Sequence, residues 1–246
     1  MELPIIYEDE DIVAINKPSG LMTHPDGRST EPTASDWFAE HYPASKDVGE
    51  MQRLQDGTEI TRPGIVHRLD RETSGVLVFA KTPESHALMK AAFAERQAKK
   101  TYLAFVYGVP KDKKGIINFP IGRSNKDFRL RSAQPKAKGI LRDALTRWEM
   151  ISDIGTHSLL KAMPETGRTH QIRVHLKAIH HPVVCDPLYA PNQKADLGFN
   201  RLGLHAYSLE IILASGEVKT LIAPVPEDLR QALKKFPKTE VYLAPV

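Results

Sequence analysis

Residues 67–75 read HRLDRETSG, and the apolar run VLVFA follows at 76–80. This stretch decides the fold. A dense charge cluster is delivered straight into a segment rich in β-branched and aromatic residues. The apolar run is the pattern of a buried strand over 75–81, and Gly64 to Arg71 form the loop that feeds it. Within that loop one carboxylate, Asp70, stands between Arg68 and Arg71. A surface turn tolerates such a cluster; a catalytic loop requires one. Nearby positive charge favours the ionised carboxylate. An ionised, positioned carboxylate can attack an electrophilic sugar carbon or stabilise an oxocarbenium-like centre. Glycoside hydrolases usually deploy two carboxylates, and only Asp70 has this setting, which argues against ordinary glycoside hydrolysis.

Working outward, PIIYEDEDIVAINKPSG reads as two short strands joined by an acidic turn at 8–11 and ended by Pro18 to Gly20. Residues 33–41 form a short helix that Thr33 can cap, with Trp37 and Phe38 as apolar contacts. Residues 44–62 are polar and irregular, the composition of a mobile loop. A longer helix is predicted over 83–100, with Pro83 in its first turn, Ala87, Leu88, Ala91, Ala92 and Ala94 on its apolar side, and Lys99 and Lys100 at its negative end. TYLAFVYG and GIINFPIG read as strands. The charged stretch 123–138 is either a solvated loop or hairpin, or a phosphate-contacting arm with Phe128 against a base. Strands follow near 144–151 and 157–163, a helix over 168–179, strands in LGLHAYSLEII and VKTLIAP, and a last helix from Pro226. Strands outnumber helices and do not alternate with them. The expectation is an α+β fold, a mixed domain around a long, mostly antiparallel sheet with flanking helices and loops. With no composition break strong enough for a linker, residues 1–246 are expected to form a single domain.

Composition sets outer bounds. The 246 residues are 41% hydrophobic and 26% charged, with a formal net charge of +4 and a sequence pI near 9.0. This mild basic lean permits an acidic partner such as RNA without demanding one. Cys185 is the only cysteine, so no intrachain disulfide can form, which fits a reducing, cytoplasmic compartment. The acidic N-terminus lacks a charged-then-apolar leader, and no apolar run spans a bilayer, so no membrane partner is expected. His175, His180, His181 and Cys185 match no metal-ligand spacing, and HHP marks a helix end. SGLMTHPDG is not a nucleotide-phosphate loop, and no GxGxxG occurs, so neither metal nor organic cofactor is expected.

Four segments are more polar than their surroundings require: NKPSGLMTHP (16–25), HRLDRETSG (67–75), KTY (100–102) and GRTHQIRVHL (167–176). Each alone is explained by turns and surface salt bridges. In GRTHQIRVHL, taken as a helix, Thr169, Ile172 and Leu176 share one side, and an arginine from it could meet a carboxylate of another loop bidentately. Spacing does not choose between this and a surface arginine pair.

Together the four segments, with the late LHAYSLEI, resemble an RluA-type pseudouridine synthase over nearly the whole chain, from about Ile5 to Pro224. HRLD-x-x-TSG with GR-x-HQIR-x-H is a highly specific combination. The resemblance implies the pseudouridine synthase fold and isomerisation of uridine in RNA to pseudouridine. It implies that Asp70 is the catalytic aspartate, that Tyr102 packs on the target uracil, and that Arg173 pairs with the aspartate, with Arg168 as the alternative. Arg68 would help fill the space left by the flipped nucleotide, while His67 and Leu69 shape the loop. The implied partner is RNA, ribosomal RNA slightly ahead of transfer RNA, and the chain is expected to act as a monomer without metal or cofactor. The rival readings are a non-catalytic RNA-binding or chaperone protein on the same fold and a nucleoside hydrolase or glycosidase. Two departures stand out. Cys185-Asp186 replaces the usual Gly-Asp, and Tyr189-Ala190 the usual Tyr-Gly, which puts the local loop shape in question. The small RNA-binding domain that precedes this module in several relatives is expected to be absent.

Overall fold

A computed structural model describes residues 1–27, 29–53, 57, 59–124, 127, 130–133 and 137–244. The chain divides into two compact units, one made of 1–99 and 208–224, the other of 100–207 and 225–246.

In the first unit β1 (Ile5–Glu8) and β2 (Ile12–Lys17) run antiparallel. The acidic turn between them forms because the Asp9 carboxylate accepts from the backbone N–H groups of Asp11 and Ile12 at 2.9 and 2.8 Å. Strand β5 (Ser74–Ala80) pairs with β2 and is buried at every position. Its Val76, Leu77, Val78 and Phe79 are each at most 2% exposed, and burying a side chain of that size contributes about 1.5–3 kcal/mol. Helix α1 (Ala34–His41) begins at Thr33 with a reciprocal capping box to Asp36, and Phe38 stacks on Phe79 with ring centres 4.9 Å apart. The strand order is β1-β2-β5-β13, with β14 (Val218–Ile222) also on β13 (Leu204–Ile212).

Two expectations for this unit fail. Residues 44–62 are not simply a loop: β3 (Gly49–Arg53) and β4 (Glu59–Pro63) pair antiparallel in register from Gly49–Pro63 to Arg53–Glu59. The polar composition hid a two-stranded ribbon with little core to face. Helix α2 is Pro83–Ala94, and Lys99 opens a strand instead of closing the helix. Arg96, in the left-handed region at φ 63°, turns the chain out after Glu95. The buried side of α2 is Ser85, His86, Met89 and Ala92, while Leu88 is 39% exposed. The alanines therefore marked helix propensity, and Met89 marks the face that packs.

In the second unit β6 (Lys99–Tyr107) is followed by β7 (Lys114–Ile117), β8 (Ile121–Arg123), β9 (Arg131–Ser132), β10 (Lys138–Arg142), β11 (Thr146–Asp153) and β12 (His157–Pro164). Strands β6-β12-β11-β7 form a sheet in that order, and β10-β8-β9 form a small separate one. GIINFPIG thus gives two strands rather than one; Pro120 lacks the N–H a continuing ladder needs. Along β6 the side chains alternate between two cores. Tyr102, Ala104 and Val106 pack with Trp148 and Ile172, and Leu103 and Phe105 with Leu229 and Phe236. The last of these belong to α4 (Glu227–Leu233) and its C-terminal flank. Helix α3 (Gln171–Ala178) starts three residues later than predicted, because His170 is held in the left-handed region at φ 57°. The pairs β1–β2, β2–β5, β3–β4, β6–β12, β11–β12, β7–β11, β8–β9, β8–β10 and β13–β14 run antiparallel. No helix among the described residues is long and apolar enough to cross a membrane.

Candidate active site

The loop that carries Asp70 is anchored from both sides within the first unit. Gly64 and Ile65 pair with Ala80 and Phe79 on the edge of β5 opposite β2. The chain then leaves that edge, and His67 covers the next exposed donor: the Val78 N–H donates to His67 Nε2 at 2.9 Å. That bond fixes the tautomer, with the ring proton on Nδ1, and the ring stacks on Phe93 at 4.7 Å. Leu69 is buried (3% exposed), whereas Arg68 on one side of it is exposed and Asp70 on the other half-buried. Leu69 anchors the loop, with Arg68 and Asp70 on either side of it less buried. At the turn the Thr73 N–H donates to the Asp70 carbonyl at 3.1 Å.

The segment NKPSGLMTHP supplies the clamps. Lys17 is fully buried, and its Nζ donates to the carbonyls of Pro18, Leu21 and Arg71 at 2.8, 2.7 and 3.0 Å. A buried ammonium is tolerated because its donors meet three carbonyl dipoles. Thr23 Oγ1 donates to the Leu69 carbonyl at 2.8 Å and accepts from the Leu69 N–H at 3.2 Å. Ser19 Oγ donates to the Glu72 carbonyl, and Gly20 exchanges two bonds with Arg71, through the Arg71 carbonyl and Nε. Arg71 also pairs with Glu31 at 2.7 Å, so its side chain ties the loop to its surroundings. Lys17 and Thr23 had no role in the sequence reading. The available signal was a lysine ending an apolar strand directly before Pro-Ser-Gly. If Asp70 reacts as the resemblance implies, Thr23→Val is expected to lower turnover about 10–100-fold while leaving RNA affinity within about threefold, because displacing a reacting group by about 1 Å is costly. Single-turnover rates on saturating RNA check this, and an unchanged rate would show that the Thr23 clamp does not position Asp70.

His24, next to that clamp, is 7% exposed. Burial pulls its pKa down to about 4, the Pro25 carbonyl opposes the shift, and the Arg68 and Arg62 guanidiniums add to it. The folded pKa lies below the unfolded one, so the contribution to stability is complete above pH 6.5 and fades as pH falls toward 4. The expected loss is about 2–3 kcal/mol. Urea unfolding at pH 7 and pH 4.5 tests it: His24→Asn should lose clearly less stability on acidification than the parent, and equal losses would assign the acid sensitivity elsewhere.

In the second unit Tyr102 lies on β6 opposite Ala162, half-buried, on the face that packs with Ile172 of α3. Helix α3 is buried along Gln171 to Leu176, which removes the surface-pair reading for Arg173. Its polar side chains are consumed by packing. Gln171 Nε2 donates to the Leu145 carbonyl and Thr146 Oγ1, Thr166 Oγ1 donates to Gln171 Oε1, and His175 bridges Thr146 Oγ1 and the Phe119 carbonyl. Burial lowers the His175 pKa.

Arg173 is 3% exposed and grips Asp186 bidentately, Nε to Oδ2 at 2.7 Å and Nη2 to Oδ1 at 2.8 Å. Asp186 also accepts from the Leu188 and Tyr189 N–H groups, and the guanidinium lies 5.1 Å from the Tyr189 ring centre. Asp186, as the partner of Arg173, is what sequence reasoning missed, since it was seen only as part of a departure. Cys185 sits in the left-handed region at φ 56°, where glycine is favoured; Ala190 has no positive φ. Only the first departure therefore strains the backbone. Arg168 lies outside the helix, its Nε donating to the Asp143 carbonyl at 3.0 Å. The HHP segment does end the helix, with His180 at φ 68°. Asp70, Arg68, His67 and Leu69 thus belong to one anchored loop of the first unit, and Tyr102, Arg168 and Arg173 to the second. Phe128 lies outside the described residues.

The RNA pseudouridylate synthase family model matches residues 11–178. A Synechocystis protein called an uncharacterized RNA pseudouridine synthase is 40% identical over 232 residues, covering 94% of this chain and 68% of its own. The ribosomal large subunit pseudouridine synthase D of Zymomonas mobilis is 34% identical, over 94% of this chain and 72% of its own. The structure of human RNA pseudouridylate synthase domain containing 4 superposes with a TM-score of 0.72 at 25% identity, over 94% of this chain and 92% of that one. The chain therefore belongs to the RNA pseudouridine synthases of the RluA type, and its reaction is the isomerisation of uridine in RNA to pseudouridine.

Proposed function

We propose that Asp70 carries the reaction. The observation that supports this is its place on the anchored loop, between the buried Leu69 and the turn closed by Thr73, in a segment tied down by Lys17, Ser19 and Thr23. The target base must leave the stack, at a cost of roughly a few kcal/mol. Stacking on Tyr102 offsets about 1–3 kcal/mol of it, and Arg68, exposed beside Asp70, fills the vacated position. The ionised Asp70 then promotes cleavage of the C1′–N1 bond, as a nucleophile at C1′. The detached uracil turns, C5 attacks C1′ and displaces the Asp70 carboxylate, the C5 proton is lost and N1 gains one. The base is not released to water, so one carboxylate suffices where a hydrolase needs two. Arg173, immobilised by Asp186, offers a fixed positive charge to the site, and Arg168 contacts substrate. His67 and Leu69 hold the loop shape.

The RNA we favour is ribosomal, ahead of transfer RNA; relatives from Zymomonas mobilis and Borreliella burgdorferi, each 34% identical, bear the name ribosomal large subunit pseudouridine synthase D. We further propose a cytoplasmic monomer, active without metal or cofactor, whose two units serve one catalytic domain. Two of the three unit boundaries fall inside strands, β6 and β13, which argues against two independently folding pieces. Incubation with ribosomal and transfer RNA, followed by nucleoside chromatography, tests the reading. Pseudouridine without free uracil is expected, whereas released uracil would make the protein a glycosidase, and binding without either product would make it a non-catalytic RNA-binding protein.

A further inference from the structure

An open groove of about 470 Å³ lies in the second unit between the small sheet β10-β8-β9 and the Gly167–Thr169 loop. Arg123, Arg131, Arg142 and Arg168 line it, and no acidic side chain does. Among the described residues none of the four pairs with a carboxylate. Arg168 Nε and Arg131 Nη1 are directed by backbone carbonyls, of Asp143 at 3.0 Å and Leu130 at 3.5 Å. Four guanidiniums converging without a counter-charge repel one another, and an anion in the groove relieves that repulsion.

Strand β10 is built to present something else there. Lys138 pairs with Arg123 and Arg142 with Ile121, so three residues of β10 face one of β8. This bulge opens at Gly139, at φ 78°, where an added Cβ would meet nothing within 4 Å, so the backbone angle rather than crowding selects glycine. The bulge carries Ile140 into the groove, where it remains 85% exposed. An apolar side chain ringed by arginines suits a polymer with charged links and apolar faces: phosphates for the guanidiniums, a base or ribose face for the isoleucine.

We propose that this groove binds the sugar-phosphate backbone of the substrate RNA beside the reacting uridine, with Ile140 packed on a neighbouring base or ribose. The inference rests on the reading that RNA is the substrate and adds where the strand is held. Arg168, which lines the groove, lies five positions before Arg173 in the same motif.

The test uses the full chain with Arg123→Gln and Arg142→Gln combined, Ile140→Ser separately, and Lys113→Gln with Lys114→Gln as a control of equal charge change. RNA affinity is measured from 50 to 200 mM salt, and pseudouridine formation at saturating RNA. The arginine double variant should bind about tenfold or more weaker at low salt, with a salt slope shallower by roughly 1.4, the release from two single-strand phosphates. Ile140→Ser should weaken binding about three- to tenfold with the slope unchanged, and turnover at saturation should stay within about twofold in both. Parental affinity and slope in the arginine variant, or an equal change in the lysine control, would overturn the groove. Loss of affinity in the variant with no pseudouridine made even by the parent would instead overturn the catalytic reading and leave the groove standing.

Discussion

Asp70→Asn is expected to abolish pseudouridine formation, a loss on the order of 10⁴-fold or more, since no other carboxylate holds the same place on the loop. The substitution keeps the shape and most hydrogen bonding of the side chain while removing the charge proposed to attack C1′. Fold and RNA affinity should survive. The loop is held by Lys17 on the Arg71 carbonyl, Thr23 on both backbone groups of Leu69, and His67 on the Val78 N–H, none of which uses the Asp70 carboxylate. Single-turnover assays, melting curves and RNA titration on the same preparation separate these quantities. A rate within tenfold of the parent would remove Asp70 from the chemistry.

The second large effect concerns stability. Asp186→Asn removes the carboxylate charge that the Arg173 guanidinium, 3% exposed, grips at 2.7 and 2.8 Å. Breaking one half of a buried ion pair costs about 3–5 kcal/mol, because the remaining charge stays in a poorly solvated place. The loop from Cys185 to Ala190 should loosen as well, since Asp186 accepts the Leu188 and Tyr189 N–H groups. Replacing both partners, Arg173→Met with Asp186→Leu, should recover much of the stability by removing both charges together. Activity should not return with it, since a stable protein without Arg173 still lacks the fixed positive charge. Urea titrations of the single and double variants give the coupling, and additive losses would show that the pair stabilises nothing jointly.

How far the chain could be understood beforehand depended on whether a segment's own chemistry matched its surroundings. Strand β5 and the caps of α1 were legible because an apolar run and a Thr-x-x-Asp pattern mean the same thing locally and globally. The β3–β4 ribbon was not, because its residues are polar and its pairing is made by backbone groups. Helix α3 was placed too early because the break lies in one dihedral angle, that of His170, which composition does not encode. In the site, Asp70 was visible as a charge out of context. Its supports, Lys17 and Thr23, and the partner of Arg173 were not, because side-chain hydrogen bonds across 13 to 54 positions of chain have no sequence period. Arg71 is tied to Glu31 and Gly20.

The most direct test of the central claim is a map of pseudouridines in total RNA from cells that lack the gene, restored with either the parent chain or Asp70→Asn. The expectation is that at least one uridine, in ribosomal RNA first, becomes pseudouridine with the parent and stays uridine with Asp70→Asn expressed at the same level. A map identical in both cells, with the parent protein present and folded, would contradict it.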